Sequence, residues 1–308
     1  MATRALDVIT ILYALEKLGN ELQVSGWQPQ NPAQRELLAW LEMYQEQLAR
    51  ITGLEAKASR FYEELNAFLE HKGFGLRLDP FDPDRGLGVV SVLDKLVRWL
   101  QGPGTISDMV TGIGTMPGFK LPDTGVHVYE VEGYPGSYLL ELLTQSDETL
   151  WLFVHADTGL EGLDLMKLAL EVMRRSRQTP MSRGPAGFGE RAFPTFAGAK
   201  VPMMDFDLTP DLDWLLGASL ATEHGGFYTI RQALQQFKMR MDETGARVKV
   251  ATALGVGYSA RFGPEPKVFI VDRPFYGWRT QRGIDVPMAV FFADWDCWRT
   301  PSGTLEAL

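Results

Sequence analysis

The residues that could carry acid–base chemistry are few and scattered along this chain of 308 residues. Its four histidines are far apart and lack the spacing of metal ligands: His71, His127, His155 and His224. His155 and Asp157 would lie on one face of a strand and could form half of an acid–base pair. Both residue types are also common where strands end. The pattern therefore favours an ordinary strand end.

The acidic cluster Asp205, Asp207, Asp211 and Asp213 offers oxygen ligands of the kind that Ca²⁺ prefers. It lacks the glycine and the bidentate glutamate that tune such sites, and Asp211 more simply begins a short helix after Pro210. There is also no Gly-x-Ser-x-Gly elbow to present a nucleophile. We therefore expect no catalytic residue, no metal and no cofactor, and the chain is predicted not to be an enzyme.

The single cysteine and the glycine-rich span suggest no further chemistry. Cys297 cannot form an internal disulfide, which suits a reducing compartment, and it is expected to be a small buried residue beside Trp295 and Trp298. The span 102–114 lacks the preceding strand, the following helix and the lysine of a phosphate-binding loop. We interpret this span as turns.

The charge of the chain excludes two classes of partner. A net charge of -9 and a pI near 5.1 argue against nucleic acid and against an anionic membrane surface, since both require a basic face. The N-terminus shows no cleavable signal pattern, and no window is apolar for long enough to span a bilayer. A cytoplasmic location is expected, and the oligomeric state is left open. The basic run Arg174–Arg175–Ser176–Arg177 is predicted to end a helix.

The elements that position these residues begin with a helical N-terminal region, 1–72. Leucines at helical spacing predict a first helix over 5–22. Asn31, Pro32 and Gln34 are typical of a capping box that begins a second helix. A third is predicted over 54–68, ending near Gly73. These helices either form one layer of the main fold or make a separate hairpin for a partner.

The most informative segment follows Met239. From Val248 onward apolar residues alternate with charged or small ones, as in a half-buried strand. The chain then enters a stretch rich in Gly, Ser and Pro, 255–266, that predicts an exposed loop. Loops beyond about 15 residues in a compact domain are usually functional or disordered.

This segment resembles the hinge and reactive-centre loop of the serpins, the serine protease inhibitor superfamily. Asp242 and Glu243 are similar to the family's acidic pair, Gly245 to its pivot, and Asp272–Arg273–Pro274–Phe275 to the return of the loop. The resemblance implies a hinge that comprises Glu243, Gly245, Ala246, Val248, Val250, Ala251, Thr252 and Ala253. It also implies a scissile region, near Arg261, that comprises Tyr258, Ser259, Ala260, Arg261 and Phe262.

Upstream motifs resemble the same family in the same order, so that the resemblance covers about residues 78–308. They include Asp79–Pro83, the amphipathic Val90–Trp99, the hairpin-like Val128–Leu140, Val201–Asp207 and the tail Val286–Ala293. The implied fold class is α+β: a helical N-terminal layer plus mixed and antiparallel sheets, with a serpin-like core over 73–308 and an exposed loop at about 255–266. An accidental resemblance would instead leave 239–254 unpaired and 127–144 without a hairpin.

Two functions are compatible with this resemblance. One is protease inhibition, in which the loop is cleaved near Arg261 and the hinge inserts into a sheet. The other is a non-inhibitory binding or assembly protein that has lost insertion, which the bulky hinge residues Arg247 and Lys249 favour. The chain is also shorter than serpins and lacks the Asn-Ala-x-Tyr-Phe strand beside which the family's loop inserts. Either function implies a protein partner.

Overall fold

The computed structural model describes residues 2–24, 26–176, 196–221, 226–246 and 267–307. These residues form four α-helices, namely α1 (Val8–Leu22), α2 (Pro32–Leu48), α3 (Tyr62–His71) and α4 (Leu163–Arg175). In this part of the chain no helix has the length and apolar character needed to cross a membrane. The helix predicted to end at the basic run is confirmed, because α4 ends at Arg175.

The strands of the described residues are numbered in chain order. They are β1 (Arg4–Leu6), β2 (Trp27–Gln28), β3 (Leu54–Ser59), β4 (Gly88–Leu93), β5 (Val97–Arg98), β6 (Thr105–Ile106), β7 (Met109–Thr111), β8 (Gly114–Met116), β9 (Gly118–Leu121), β10 (Val126–Glu130), β11 (Tyr138–Leu143), β12 (Glu148–Val154), β13 (Ala199–Pro202), β14 (Met204–Leu208), β15 (Ser219–Ala221), β16 (Phe227–Thr229), β17 (Phe237–Met241), β18 (Gly245–Ala246), β19 (Phe269–Ile270), β20 (Phe275–Gln281) and β21 (Met288–Ala293).

The largest sheet is antiparallel, with the strand order β1-β21-β20-β12-β11-β10. Its central strands bury side chains on both faces, since Leu139 and Phe153 pack on one side while Leu140 and Leu152 pack on the other. The hairpin predicted at 127–144 is confirmed by β10 and β11, with Val128 opposite Leu140. A strand buried on both faces accounts for the continuous apolar run of β11.

The first two helices pack on this sheet, whereas α3 packs against β4 in a separate apolar cluster. Residues of α1, α2 and α4 share one apolar core with β20 and β21, in which Ile9, Leu12, Leu37 and Phe292 are fully buried or nearly so. Of the two roles considered for these helices, the shared core favours a layer of the main fold. The division of the chain at residue 72 stays a prediction.

The start of α2 was predicted well, but its cap differs in one detail. The Asn31 side chain accepts a hydrogen bond from the backbone N–H of Gln34 at 2.9 Å, as expected for an N-cap. The Gln34 side chain accepts from the N–H of Gln30 instead of from that of Asn31, at 2.6 Å. Its amide also donates to the carbonyl oxygens of Trp214 and Leu216, so the cap joins α2 to a distant loop.

Three sequence-based boundaries are wrong. Residues 54–59 form strand β3 instead of a helix, because they pair antiparallel with valine-rich β4 and tertiary pairing overrides their helix propensity. The helix over 5–22 begins only at Val8, since Arg4–Leu6 pairs as β1 with β21. The span 102–114 contains the short strands β6 and β7 and the start of β8 in addition to turns.

Candidate functional site: a gap between two strand edges

The hinge predicted from the sequence begins in a tight turn. Backbone groups of Asp242 and Gly245 form an antiparallel bridge, with hydrogen bonds of 3.0 and 3.3 Å, and so β18 reverses the direction of β17. The Asp242 carboxylate accepts from the backbone N–H and the hydroxyl of Thr244, at 2.8 and 2.6 Å. The indole N–H of Trp99 donates to the Asp242 carbonyl oxygen at 3.0 Å. Trp99 is fully buried, so it fixes the turn to the core.

Beyond the turn, β18 lies against β5, with Gly245 opposite Arg98 and Ala246 opposite Val97. β18 is antiparallel to β5 and also antiparallel to β17, and so β5 and β17 run in the same direction. The hinge thus starts as a strand between two parallel neighbours. Its last described residue, Ala246, is buried.

Two strands near this hinge each have one partner within the described residues. β4 pairs with β3 and β17 pairs with β14, while the second edge of each strand has no ladder partner there. Unpaired backbone groups on strand edges are templates for another strand. β4 leads into β5 after three residues, so the hinge lies at one end of the gap between β4 and β17.

The gap encloses a cavity of about 500 Å³. β4 and β17 both line it, and α1 contributes Ile11, Leu15 and Leu18. Ala246 also lines the cavity, so the chain that follows Ala246 begins at the wall of the cavity. A cavity with an apolar lining and two unpaired edges is suited to an extended segment that has apolar side chains on one face.

One wall of the cavity includes the buried N-cap of α1. The Asp7 carboxylate accepts from the backbone N–H groups of Ile9 and Ala289, at 3.1 and 3.3 Å. The Gln235 side chain bonds both backbone groups of Asp7 at 2.9 Å, which joins α1 to the segment before β17. Burial raises the pKa of Asp7 above its usual value, although these hydrogen bonds act in the opposite direction.

A buried ionic group lies at the edge of the cavity. Glu148 on β12 is 3% exposed and pairs with Lys95 at 2.5 Å and with the Arg279 guanidinium. Lys95 and Arg279 line the cavity. Burial lowers the pKa of Arg279 to about 10, and burial together with the charge of Arg279 lowers the pKa of Lys95. The carboxylate is therefore required to neutralise two buried cations.

The structure describes three of the predicted hinge residues. Glu243 lies in the turn, and Gly245 and Ala246 form β18. The other hinge residues, Val248, Val250, Ala251, Thr252 and Ala253, lie outside the described residues. So does the whole predicted scissile region, Tyr258, Ser259, Ala260, Arg261 and Phe262. Their roles stay predictions.

The acid–base pair considered for His155 and Asp157 does not form. The Nδ1 atom of His155 is 2.7 Å from the hydroxyl of Ser137, and burial lowers its pKa. Asp157 instead accepts from Arg4 at 2.5 Å and from Tyr276 at 3.2 Å. Both residues are engaged in packing and hydrogen bonding within the fold.

The acidic cluster and the cysteine make local contacts within the fold. Asp205 accepts hydrogen bonds from Ser302, and within the described residues no group of acidic, histidine or cysteine side chains is arranged to hold a metal ion. Asp211 accepts from the backbone N–H of Asp213 at the start of a single 3-10 turn. Cys297 is buried, and burial raises the pKa of its thiol to about 12.

Sequence reasoning missed the residues around the cavity, namely Asp7, Lys95, Glu148, Gln235 and Arg279. A signal was present for two of them. Glu148 begins the apolar strand β12, and Arg279 lies diagonally across from it on β20, since Glu148 is opposite Gln281 and Leu150 is opposite Arg279. A charged residue within an otherwise buried strand usually has a buried partner.

Among the known proteins compared with this chain, only solved structures match it. No family model and no curated protein sequence matches the chain. Solved structures do match. Serpin48 of the insect Tenebrio molitor is 16% identical, with a TM-score of 0.56 over 95% of this chain and 92% of that chain. The thermophilic serpin tengpin is 10% identical, with a TM-score of 0.57 over 94% and 88%. Human thyroxine-binding globulin is 11% identical, with a TM-score of 0.56 over 94% and 91%.

These likenesses extend over nearly the whole length of both chains, and they agree with the mixture of helices and antiparallel sheets described above. At such low identity they show the fold alone. The central hairpin lies where the sequence motif predicted it, and a turn with a paired strand lies at Asp242–Gly245, whereas the role of this turn as a hinge stays a prediction. The chain has a divergent serpin-like α+β fold.

Proposed function

We propose that this protein is a protease inhibitor that works by inserting its cleaved loop as a strand between β4 and β17. The observation that carries the proposal is the gap itself. Within the part of the chain that the structure describes, two strand edges without ladder partners line one cavity with many apolar residues, and the predicted hinge enters its end as strand β18. The partner would be a protease.

The direction of the hinge supports this proposal. β18 is antiparallel to both β5 and β17, so a continuation of the same strand would run antiparallel to β17 along the gap. Antiparallel pairing would satisfy backbone groups on both edges at once. An inserted strand would also fill the cavity, which no change of side-chain rotamer alone would do.

The alternation of the hinge sequence supports it as well. Ala246 faces the cavity, and residues two apart in a strand share a face. A continued strand would therefore direct Val248, Val250 and Thr252 toward the cavity. Arg247 and Lys249 would lie on the opposite face, where their charges stay in water.

Insertion would release substantial free energy. Each buried valine contributes about 1.5 to 3 kcal/mol, and each new backbone hydrogen bond contributes roughly 1 kcal/mol. Ordering the backbone of the segment 247–254 opposes this gain by about 1 to 2 kcal/mol per residue. The net gain is the difference between the two, and a net gain of about 5 kcal/mol corresponds to a rise in melting temperature of roughly 10 °C. Such a gain, available only after cleavage, would drive the distortion of a bound protease.

The bait residue that we propose is Arg261. A protease with an acidic specificity pocket prefers a basic residue before the scissile bond. Arg261 followed by Phe262 gives that preference within the segment 255–266. The target class is thus a trypsin-like serine protease.

The test is thermal unfolding before and after limited trypsin cleavage, with the cut located by mass spectrometry. A single cut after Arg261 that raises the melting temperature by more than about 10 °C would support insertion. A covalent complex with the catalytic serine of trypsin, visible on a denaturing gel, would establish inhibition. A cut at Arg261 with an unchanged or lower melting temperature would exclude the mechanism.

That second outcome would favour a binding or assembly protein on the same fold. The large charged residues Arg247 and Lys249 of the hinge favour this alternative. A matched structure, thyroxine-binding globulin, is a complex with thyroxine, so a protein of similar fold holds a small ligand. For the present chain this alternative predicts a stable nicked protein that forms no covalent complex.

A further inference from the structure

The C-terminal segment Ser302–Glu306, here called the C-terminal strap, crosses the sheet at the hinge. At one end the backbone N–H and the hydroxyl of Ser302 both donate to Asp205 of β14 at 2.8 Å. Arg240 of β17 donates to the Ser302 hydroxyl at 3.0 Å and to the Thr304 carbonyl oxygen at 3.2 Å. The strap is thus anchored to two paired strands, because Asp205 lies opposite Arg240.

The other end of the strap reaches a third strand. The Glu306 carboxylate is 3.6 Å from the guanidinium of Arg98 on β5. Arg98 is the residue opposite Gly245, the pivot of the hinge. Between these two anchors Leu305 is buried at 3% exposure, whereas Ser302, Gly303 and Thr304 are exposed. The strap is thus held by its two anchors and by the buried Leu305 side chain.

The anchors lie on either side of the hinge strand. Arg240 belongs to β17 and Arg98 to β5, and β18 lies between these two strands. The strap therefore joins β17 and β5, the two neighbours of β18, through the side chains of Arg240 and Arg98. β18 cannot leave the sheet without disturbing either the strap or the ladder to β5.

We propose that the C-terminal strap is a latch that holds the hinge strand in the sheet. Starting a strand is costlier than extending one, since the first pairs fix many dihedrals for few hydrogen bonds. A latched β18 supplies those first pairs in advance. Release of the strap, by a partner that binds it or by proteolysis of the C-terminus, would free the hinge and remove the preformed start of insertion. The latch itself follows from the contacts, whereas its effect on insertion rests on the proposed function.

Hydrogen–deuterium exchange tests the latch without reference to protease inhibition. The probes are the amides of Asp242 and Gly245, whose hydrogen bonds close the hinge turn. In a chain that ends at Pro301 their exchange rates should rise at least about tenfold relative to those of core amides in β12, as expected for a local opening. An unchanged ratio of hinge to core rates would overturn the proposal.

Two further variants keep the test decisive if the shortened chain folds poorly. The double variant Ser302→Ala/Glu306→Ala keeps the full length and removes the Ser302 hydroxyl and the Glu306 carboxylate from the two anchors, and it should produce a selective rise in the same direction. Thr304→Ala is the matched control, since the Thr304 side chain is exposed and only its carbonyl oxygen is bonded in the described contacts. A rise in hinge and core exchange by the same factor would show a general loss of stability and would also overturn the latch.

A second measurement tests whether the latch affects insertion of the cleaved loop. After trypsin cleavage, the rise in melting temperature should develop more slowly in the double variant than in the parent chain. If the parent chain shows no rise at all, the proposed function fails while the exchange result on the latch stands. If both chains gain stability at the same rate, the latch has no part in insertion.

Discussion

Gly245 approaches β5 so closely that a Cβ atom on it would lie 2.1 Å from the carbonyl oxygen of Val97 and 3.1 Å from the Cα of Arg98. The contact is with backbone, which cannot rotate away as a side chain can. A glycine is therefore required for β18 to pair with β5 at this position. Residue 245 must be a glycine because the backbone of β5 leaves no room for a Cβ atom.

The first prediction concerns this contact. Gly245→Ala should push β18 away from β5 and destabilise the protein by about 1 to 3 kcal/mol, the usual penalty for overpacking. Urea denaturation measures the change. Gly112→Ala is the control, because a Cβ there would meet no atom within 4 Å. Equal stabilities of the two variants would contradict the close approach.

The second prediction uses the alternation of the hinge. Val250→Glu would place a carboxylate toward the cavity in an inserted strand and should abolish the gain in melting temperature after cleavage, since burying an unpaired charge is prohibitive. Lys249→Glu introduces the same side chain one residue earlier, on the opposite face, and should leave that gain intact. Differential scanning calorimetry of cleaved and uncleaved samples distinguishes them. Loss of the gain in both variants, or in neither, would contradict the assigned faces.

The third prediction concerns the buried ionic group. Glu148→Gln would remove the carboxylate that pairs directly with both Lys95 and Arg279, and it should cost about 3 to 5 kcal/mol in the free energy of unfolding. The control is Glu55→Gln, which breaks the ion pair between Glu55 and Lys72. The Glu55 side chain is 51% exposed. That variant should lose less than about 1 kcal/mol. Chemical denaturation at pH 7 gives both values, and similar losses would show that the buried group is not isolated from water.

The fourth prediction concerns Asp7 and pH. Because the pKa of Asp7 is raised in the folded protein, its ionisation reduces stability as pH rises from 3.8 through the folded pKa. Asp7→Asn removes this penalty and keeps an N-cap acceptor for Ile9. Its stability relative to the parent chain should increase over that pH range and stay constant above it.

Thermal unfolding between pH 3 and pH 8 follows this difference. Asp7→Ala serves as the comparison, since it removes the charge and also the cap, which contributes about 1 kcal/mol. A stability advantage of Asp7→Asn that shrinks as pH rises would contradict the raised pKa.

Local signals in the sequence predicted several elements well. Asn31 caps α2 because its short side chain can accept a hydrogen bond from the backbone N–H of Gln34, and Pro32 is suited to the first helical position. The turn at Asp242–Gly245 and the hairpin of β10 and β11 also carry their information within a few residues. In each case the residues that decide the structure are neighbours in the chain.

Features that depend on distant pairing were not predictable in this way. Residues 54–59 have a composition that favours helix, and only β4 makes them a strand. The cavity depends on β4 and β17 each having only one ladder partner among the described residues, and no local sequence pattern indicates that. Asp7 and Gln235 are 228 positions apart in the sequence, and Glu148 and Arg279 are 131 positions apart. Neither contact can therefore be predicted from a short stretch of sequence.

The cavity between β4 and β17 also has a consequence for compressibility. The cavity of about 500 Å³ is partly open, and whatever part of it no atom fills adds to the volume of the folded protein; hydrostatic pressure favours states that eliminate such space. The uncleaved protein should therefore be pressure-sensitive for its size, whereas a form with the gap occupied should resist. The volume change on unfolding under pressure would therefore distinguish the uncleaved protein from a form whose gap is occupied.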